Sequence, residues 1–137
     1  MKKTIVSSLS VILSIICLFC FISCEEKVEA SGLWENATYL SDITLGDGEK
    51  TVSFTVEAED KVITITLKTD KATLGEAMYE HGLVNDATFF DTLNGIKADW
   101  NKDQAYWGFY QGEEFMMVGI NDTEIIGGES YRFVYSK

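Results

Sequence analysis

Val52, Phe54 and Val56 alternate with Ser53, Thr55 and Glu57, and the alternation resumes at Ile63, Ile65 and Leu67 with Thr64, Thr66 and Lys68 between them. A period of two sends successive side chains to opposite faces, so each run predicts a strand with one face buried. Glu59, Asp60 and Lys61 make a polar turn between the two β-branched runs, a link short enough to predict a hairpin. The period then changes. Thr73-Leu74-Gly75-Glu76 matches a capping box, with Thr73 as N-cap and Glu76 reaching back, and Leu74, Ala77 and Met78 share one face of a helix. Gly82 supplies the left-handed residue that ends it. Further strands are predicted at residues 89–93, closed by Asn94-Gly95, at 105–110, turning at Gln111-Gly112 into 115–118, and at 129–135. The pattern predicts one α+β domain, mostly β, with a single short helix packed on a mixed or antiparallel sheet.

The first residues have a different texture. Lys2 and Lys3 precede an uncharged apolar run over 5–22, the layout of a secretory signal peptide. The run ends in Phe21-Ile22-Ser23-Cys24, followed at once by Glu25 and Glu26. A small residue before cysteine resembles the lipobox of bacterial lipoproteins, in which the cysteine is diacylated and becomes the mature N-terminus. Two acyl chains on Cys24 give stable anchoring to the bilayer, where one chain is marginal. An uncleaved membrane anchor is the competing reading, and the abrupt end of the run speaks against it. Either way the rest of the chain is expected to be extracytoplasmic. The organisation read from sequence is a leader over 1–24, an acidic tether and lead-in over 25–48, and a folded domain over 49–137.

Cysteine and charge then remove several functions. All three cysteines, Cys17, Cys20 and Cys24, lie in the leader, so the mature domain has no disulfide, thiol nucleophile or thiolate metal site. The formal charge is −11, and losing Lys2 and Lys3 makes it two units more negative. An acidic exterior repels nucleic acid and anionic headgroups, so neither is an expected partner. The single histidine, His81, falls in the last turn of the predicted helix, where an imidazolium suits the helix dipole, and no nucleophile accompanies it. Glu113 and Glu114 point to opposite faces of a strand and cannot act as a catalytic pair. The chain is therefore expected not to be an enzyme. Asp99, Asn101 and Asp103 alternate as at the start of a calcium loop, but Gln104 replaces the turn glycine and Tyr110 the bidentate glutamate. A polar connection explains them without a metal.

The stretch AYWGFYQGEEF, from Ala105 to Phe115, concentrates the aromatic residues. On a strand Trp107 and Phe109 share the more apolar face and are expected in the core, while Tyr106 and Tyr110 flank Gly108 on the other. Two rings about a bare glycine backbone make a platform for a flat ligand. Cross-strand packing of those rings against Tyr131, Phe133 and Tyr135 accounts for the same pattern without a ligand.

The runs TLGEAMYEHGLV, TLNGIKADWNKDQAYWGFYQGEEFMMVGINDTEI and GESYRFVYSK, with the lead-in GLWENATYLSDITLGDGEKT, resemble the transcobalamin-like C-terminal domain family. The specific features are the T-x-G-E helix start, the N-G-I turn, the Tyr-Trp pair, the Gly-Glu hairpin and the G-I-x-D-T turn. The resemblance implies a β-grasp-like domain, a secreted or lipid-anchored location and no catalysis. In the vertebrate cobalamin carriers the related domain closes over a corrinoid as a lid, and their Tyr-Trp pair corresponds to Tyr106 and Trp107. Tyr106, Trp107 and Tyr110 are thus the candidate ligand-binding residues, for a corrinoid or another small flat molecule, with no other cofactor implied. Phe89-Phe90-Asp91 stands where members carry a glycine–aromatic strand, which alters the surface beside the Tyr-Trp strand. The alternative function is a protein-partner or display module that uses an exposed sheet edge.

Overall fold

The computed structural model describes residues 30–137, so the leader, Cys24 and the start of the tether lie outside the described residues. Eight strands run through them: β1 (Ile43–Leu45), β2 (Lys50–Ala58), β3 (Lys61–Thr69), β4 (Thr92–Leu93), β5 (Ile96–Lys97), β6 (Tyr106–Gln111), β7 (Glu114–Phe115) and β8 (Glu129–Ser136). The alternating runs form the hairpin their period predicts: β2 and β3 pair antiparallel, with Phe54 opposite Ile65, and Glu59 takes a positive φ of 55° in the tight turn. Val52, Phe54, Val56, Ile63, Ile65 and Leu67 are all buried.

One helix longer than a single turn, α1 (Leu74–Glu80), crosses the buried face. Thr73 caps it by accepting from the Glu76 N–H, and Leu74, Ala77 and Met78 are buried. Its end is a Schellman motif: Gly82 has φ +67°, the Gly82 N–H reaches Tyr79 O at 3.0 Å, and the Leu83 N–H reaches Met78 O at 2.9 Å. Seven residues make a marginal helix in isolation, so packing must hold it. The main sheet has the order β1-β3-β2-β8-β6-β7. Its central strands β2 and β8 are parallel, and each carries an antiparallel neighbour, β3 on one side and β6 on the other. Hairpin, crossing helix, then two more strands with first and last side by side is a β-grasp-like arrangement. In the core Phe109 stacks on Phe133 at 4.9 Å, and Phe54 meets Phe133 edge-on at 5.3 Å.

Part of the segment read as tether and lead-in belongs to this folded body. Residues Gly32–Asn36 form a 3-10 turn that places Trp34 in the core at 2% exposure, its indole N–H donating to Ala58 O. β1 extends the sheet in parallel with β3. Asn94 fastens the lead-in from the far side: its amide accepts from the Tyr39 N–H and donates to Tyr39 O, both at 2.9 Å. Asn94 and Gly95 both have positive φ in the tight β4–β5 turn, as the Asn-Gly signal predicts. A side chain at Gly95 would also collide with Asn36 O.

Two predicted strands are shorter than expected. Of residues 89–93 only Thr92–Leu93 pairs, because side chains claim the preceding amides. The Asp86 carboxylate accepts from Thr88 and Phe89, and Asn85 Oδ1 accepts from Asp91 and Thr92. Of 115–118 only Phe115 is in a strand; the chain makes one more bond, Met116 N–H to Phe109 O, and then leaves for the 3-10 turn Ile120–Asp122.

Candidate functional site

β6 lies between β8 and the short edge strand β7, and its residues alternate as the sequence predicts. Phe109 is in the core, and Trp107 faces the same way at the sheet's end, half-buried, with its indole N–H on Ile96 O at 3.1 Å. Trp107 meets Tyr135 edge-on at 5.6 Å, and Phe109 lies 5.3 Å from Tyr131. The aromatic residues of β8 therefore pack with Trp107 and Phe109, not with the tyrosines of the outer face.

The outer face of β6 does not offer a bare glycine between two free rings. Gly108 is buried beneath the ring of Tyr110, whose Cε2 would stand 2.8 Å from a Cβ placed there. Tyr110 is itself held, edge-on to Phe115 at 5.4 Å and 5.6 Å from the Arg132 guanidinium. Arg132 donates to both Glu57 oxygens, at 2.8 and 3.3 Å, and to Gly112 O. That hydrogen-bonded guanidinium holds the Glu57 carboxyl below the usual range, and burial opposes it only in part. Tyr106, 46% exposed, leans instead toward Trp100 at 6.3 Å. The structure thus brings Tyr106 and Tyr110 to one face without joining them into one platform.

Apolar surface gathers on the other side of the strand. Phe89, Phe90, Trp107, Phe109, Val118 and Ile120, with Thr88 and Gly119, line a cleft of about 200 Å³. Phe89 is 89% exposed at its rim, Val118 is 48% exposed, and Met117 beside it is 90% exposed. Phe90 anchors the rim to the core, 5.9 Å from the Phe133 ring. The loop bearing Phe89 is set by Asp86, whose carboxyl the Thr88 and Phe89 N–H groups hold below its ordinary value. The rim therefore keeps a negative charge beside the exposed phenylalanine. Of the candidate ligand residues only Trp107 reaches this cleft. Phe89 and Val118 were not singled out from sequence as binding residues. The signal that was available is the Phe89-Phe90 pair, adjacent apolar residues at the start of a predicted strand whose alternation can bury only one of them.

A larger cleft of about 320 Å³ lies away from the aromatic strand, between the Gly46–Gly48 turn, the end of β3 and the C-terminus of α1. Lys68, Asp70, Lys71, Glu80 and His81 line it, and Asp70 already accepts from the Glu49 N–H. Charged side chains dominate its walls, unlike the mostly apolar lining of the default binding site. Asp99 is the N-cap of the one-turn helix Trp100–Asp103, its Oδ1 accepting from the Lys102 N–H. Gln104 takes the left-handed conformation there, φ +55°. Among the described residues no three His, Cys, Asp or Glu side chains stand together as a metal site.

No family model and no curated protein matches the chain. Among solved structures it is similar to a candidate metal binding protein from Ruminococcus gnavus ATCC 29149, with 23% identity and a TM-score of 0.59 over 65% of this chain and 98% of that one. It is also similar to haptocorrin in complex with Cbi, at 17% identity and a TM-score of 0.44, over 64% of this chain and 25% of that one. The Ruminococcus gnavus protein shares the fold of the described residues.

Proposed function

We propose that the chain is a non-catalytic binding module of the transcobalamin-like kind, held outside the cytoplasmic membrane by lipid on Cys24, and that the cleft beside β6 is its binding surface. The observation that carries this reading is the exposure of Phe89 and Val118 at a cleft also lined by Phe90, Trp107, Phe109 and Ile120, on a chain of net charge −11. Exposed apolar clusters rimmed by polar residues mark ligand or partner sites. Catalysis is not supported: His81 caps a helix, and the sequence after Cys24 contains no cysteine.

A corrinoid is the ligand suggested by the resemblance of Tyr106 and Trp107 to the carriers' pair. The cleft of about 200 Å³ falls below the roughly 300–1,000 Å³ of sites that enclose a drug-sized molecule. It would seat one arm or edge of a large flat ligand. Its size equally suits a single bulky side chain of a protein partner, which is the second reading. Calorimetry with cobalamin and cobinamide tests the first. Saturable heat that Phe89→Ser reduces about tenfold at unchanged melting temperature supports a corrinoid in the cleft. No heat with either corrinoid removes the corrinoid and leaves the partner reading.

A further inference from the structure

The backbone of β6 is incompletely paired on the side away from β8. Phe109 O accepts from the Met116 N–H on that side at 2.8 Å, Gln111 lies opposite Glu114, and the Ala105 N–H is taken by Asp99 O at 3.3 Å. Backbone groups two residues apart along a strand face the same way. The Trp107 N–H and C=O therefore face this edge too, in the gap between the residues that Asp99 and β7 occupy. β7 is two residues long and ends before it reaches them. The gap opens beside the cleft that Trp107 and Phe109 line with Phe89 and Val118. Asp86, Glu113, Glu114 and Asp122 are exposed on the segments that bound it. Arg132, on the Tyr110 face, is already committed to Glu57, with Glu113 at 3.6 Å, and Lys102 is exposed on the one-turn helix at the other end of the gap.

We propose that this edge accepts a short extended polypeptide segment, added to the sheet at Trp107, that places one bulky apolar side chain in the cleft and flanking lysine or arginine against the acidic rim. The inference deepens the reading of the cleft as the binding surface and rests on it. Strand addition explains three features together. The main-chain bonds supply attachment, a cleft sized for one side chain supplies specificity, and the negative rim selects a cationic segment. An exposed edge is ordinarily protected by bulges, cover or charge, and here the charge that borders the unpaired stretch is acidic, which leaves the edge open to a cationic segment.

The probe is the capped peptide Lys-Val-Leu-Val-Lys, titrated into the full chain and followed by amide hydrogen exchange and calorimetry. Binding with slowed exchange at the Trp107 amide is the expected result. N-methylation of the central leucine, or its replacement by serine, should each weaken binding about tenfold or more, and the glutamate-flanked analogue should not bind. In the chain, Val118→Asp should weaken binding with an unchanged melting curve. No binding at millimolar peptide, or binding indifferent to N-methylation, overturns strand addition. The cobinamide titration still decides the cleft in that case, so the two failures are distinguishable. Binding that needs the peptide backbone but ignores Val118→Asp overturns the cleft's part. Concentration-dependent self-association abolished by Val118→Asp assigns the edge to a second copy and overturns a foreign partner.

Discussion

Replacing Gly75 by alanine sets two effects against each other within α1. An exposed helix interior prefers alanine to glycine by about 1 kcal/mol. Gly75 is buried, however, and a Cβ there would lie 2.4 Å from Ala87 O, 3.0 Å from Asn121 N and 3.1 Å from Asn121 Cα. These are backbone atoms of two different segments, so no side chain can rotate out of the way. The 85–91 loop must retreat by about 1 Å, and inserting a methyl group into a packed interior costs roughly 1–3 kcal/mol. Packing should win, with a net loss of up to about 2 kcal/mol in urea denaturation followed by circular dichroism. Ala87 immediately precedes Thr88, Phe89 and Phe90, so the same retreat moves the cleft wall and should weaken ligand or peptide binding. Gly82→Ala is the control. Its φ is +67° with nothing within 4 Å of a Cβ, so it should cost about 1–2 kcal/mol by backbone strain and leave binding unchanged. A Gly75→Ala chain that is more stable than the parent would refute the close approach on which the cleft's geometry depends.

Trp34→Ala should lose about 3–5 kcal/mol, because a core indole and its bond to Ala58 O go together; a loss below about 1 kcal/mol in chemical denaturation would detach the lead-in from the core. Acidification should destabilise the fold. Glu57 and Asp86 have folded pKa values below their ordinary 4.5 and 3.8, and in Glu129, where burial alone would raise the value, the Ile126 and Gly127 N–H groups bring it below 4.5. Stability from such groups is complete above the ordinary values and is lost as pH falls through the lowered ones. The melting temperature should be flat near neutrality and drop below about pH 4.5, with Glu57→Gln shallowing the acid limb; a rise on acidification contradicts the assignment. Metabolic labelling with a fatty-acid probe should tag the chain, and Cys24→Ser should abolish the tag. Loss of the tag in Cys17→Ser or Cys20→Ser, with Cys24→Ser still labelled, would move the lipidation site.

The elements legible in the sequence are those whose signals are local and uncontested. The β2–β3 hairpin has two full alternating runs, and α1 has a cap, an apolar face and a terminal glycine. The faces of β6 were readable from alternation alone, which put Trp107 and Phe109 on the core side. What alternation does not carry is the side-chain conformation of Tyr110, which folds over Gly108 and fills the space that glycine leaves. The proposed cleft was missed for a related reason. Phe89 and Val118 lie in irregular segments shaped by Asp86, Asn85 and Gly119, and no period marks which way such a side chain points. The lead-in was set apart from the folded domain because the spacing of Trp34, Ala37 and Tyr39 is too short to decide between helix and strand, although each packs against the body formed later in the chain.

We propose the cleft beside β6 as the surface through which this protein binds. Backbone amide chemical-shift mapping during titration with cobinamide and with the lysine-flanked peptide tests it most directly. Shifts at residues 88–90, 107–109 and 117–120 are expected for whichever probe binds. Shifts concentrated at 46–48, 68–71 and 80–81, or on the outer face around Glu57, Tyr110 and Arg132, would contradict it.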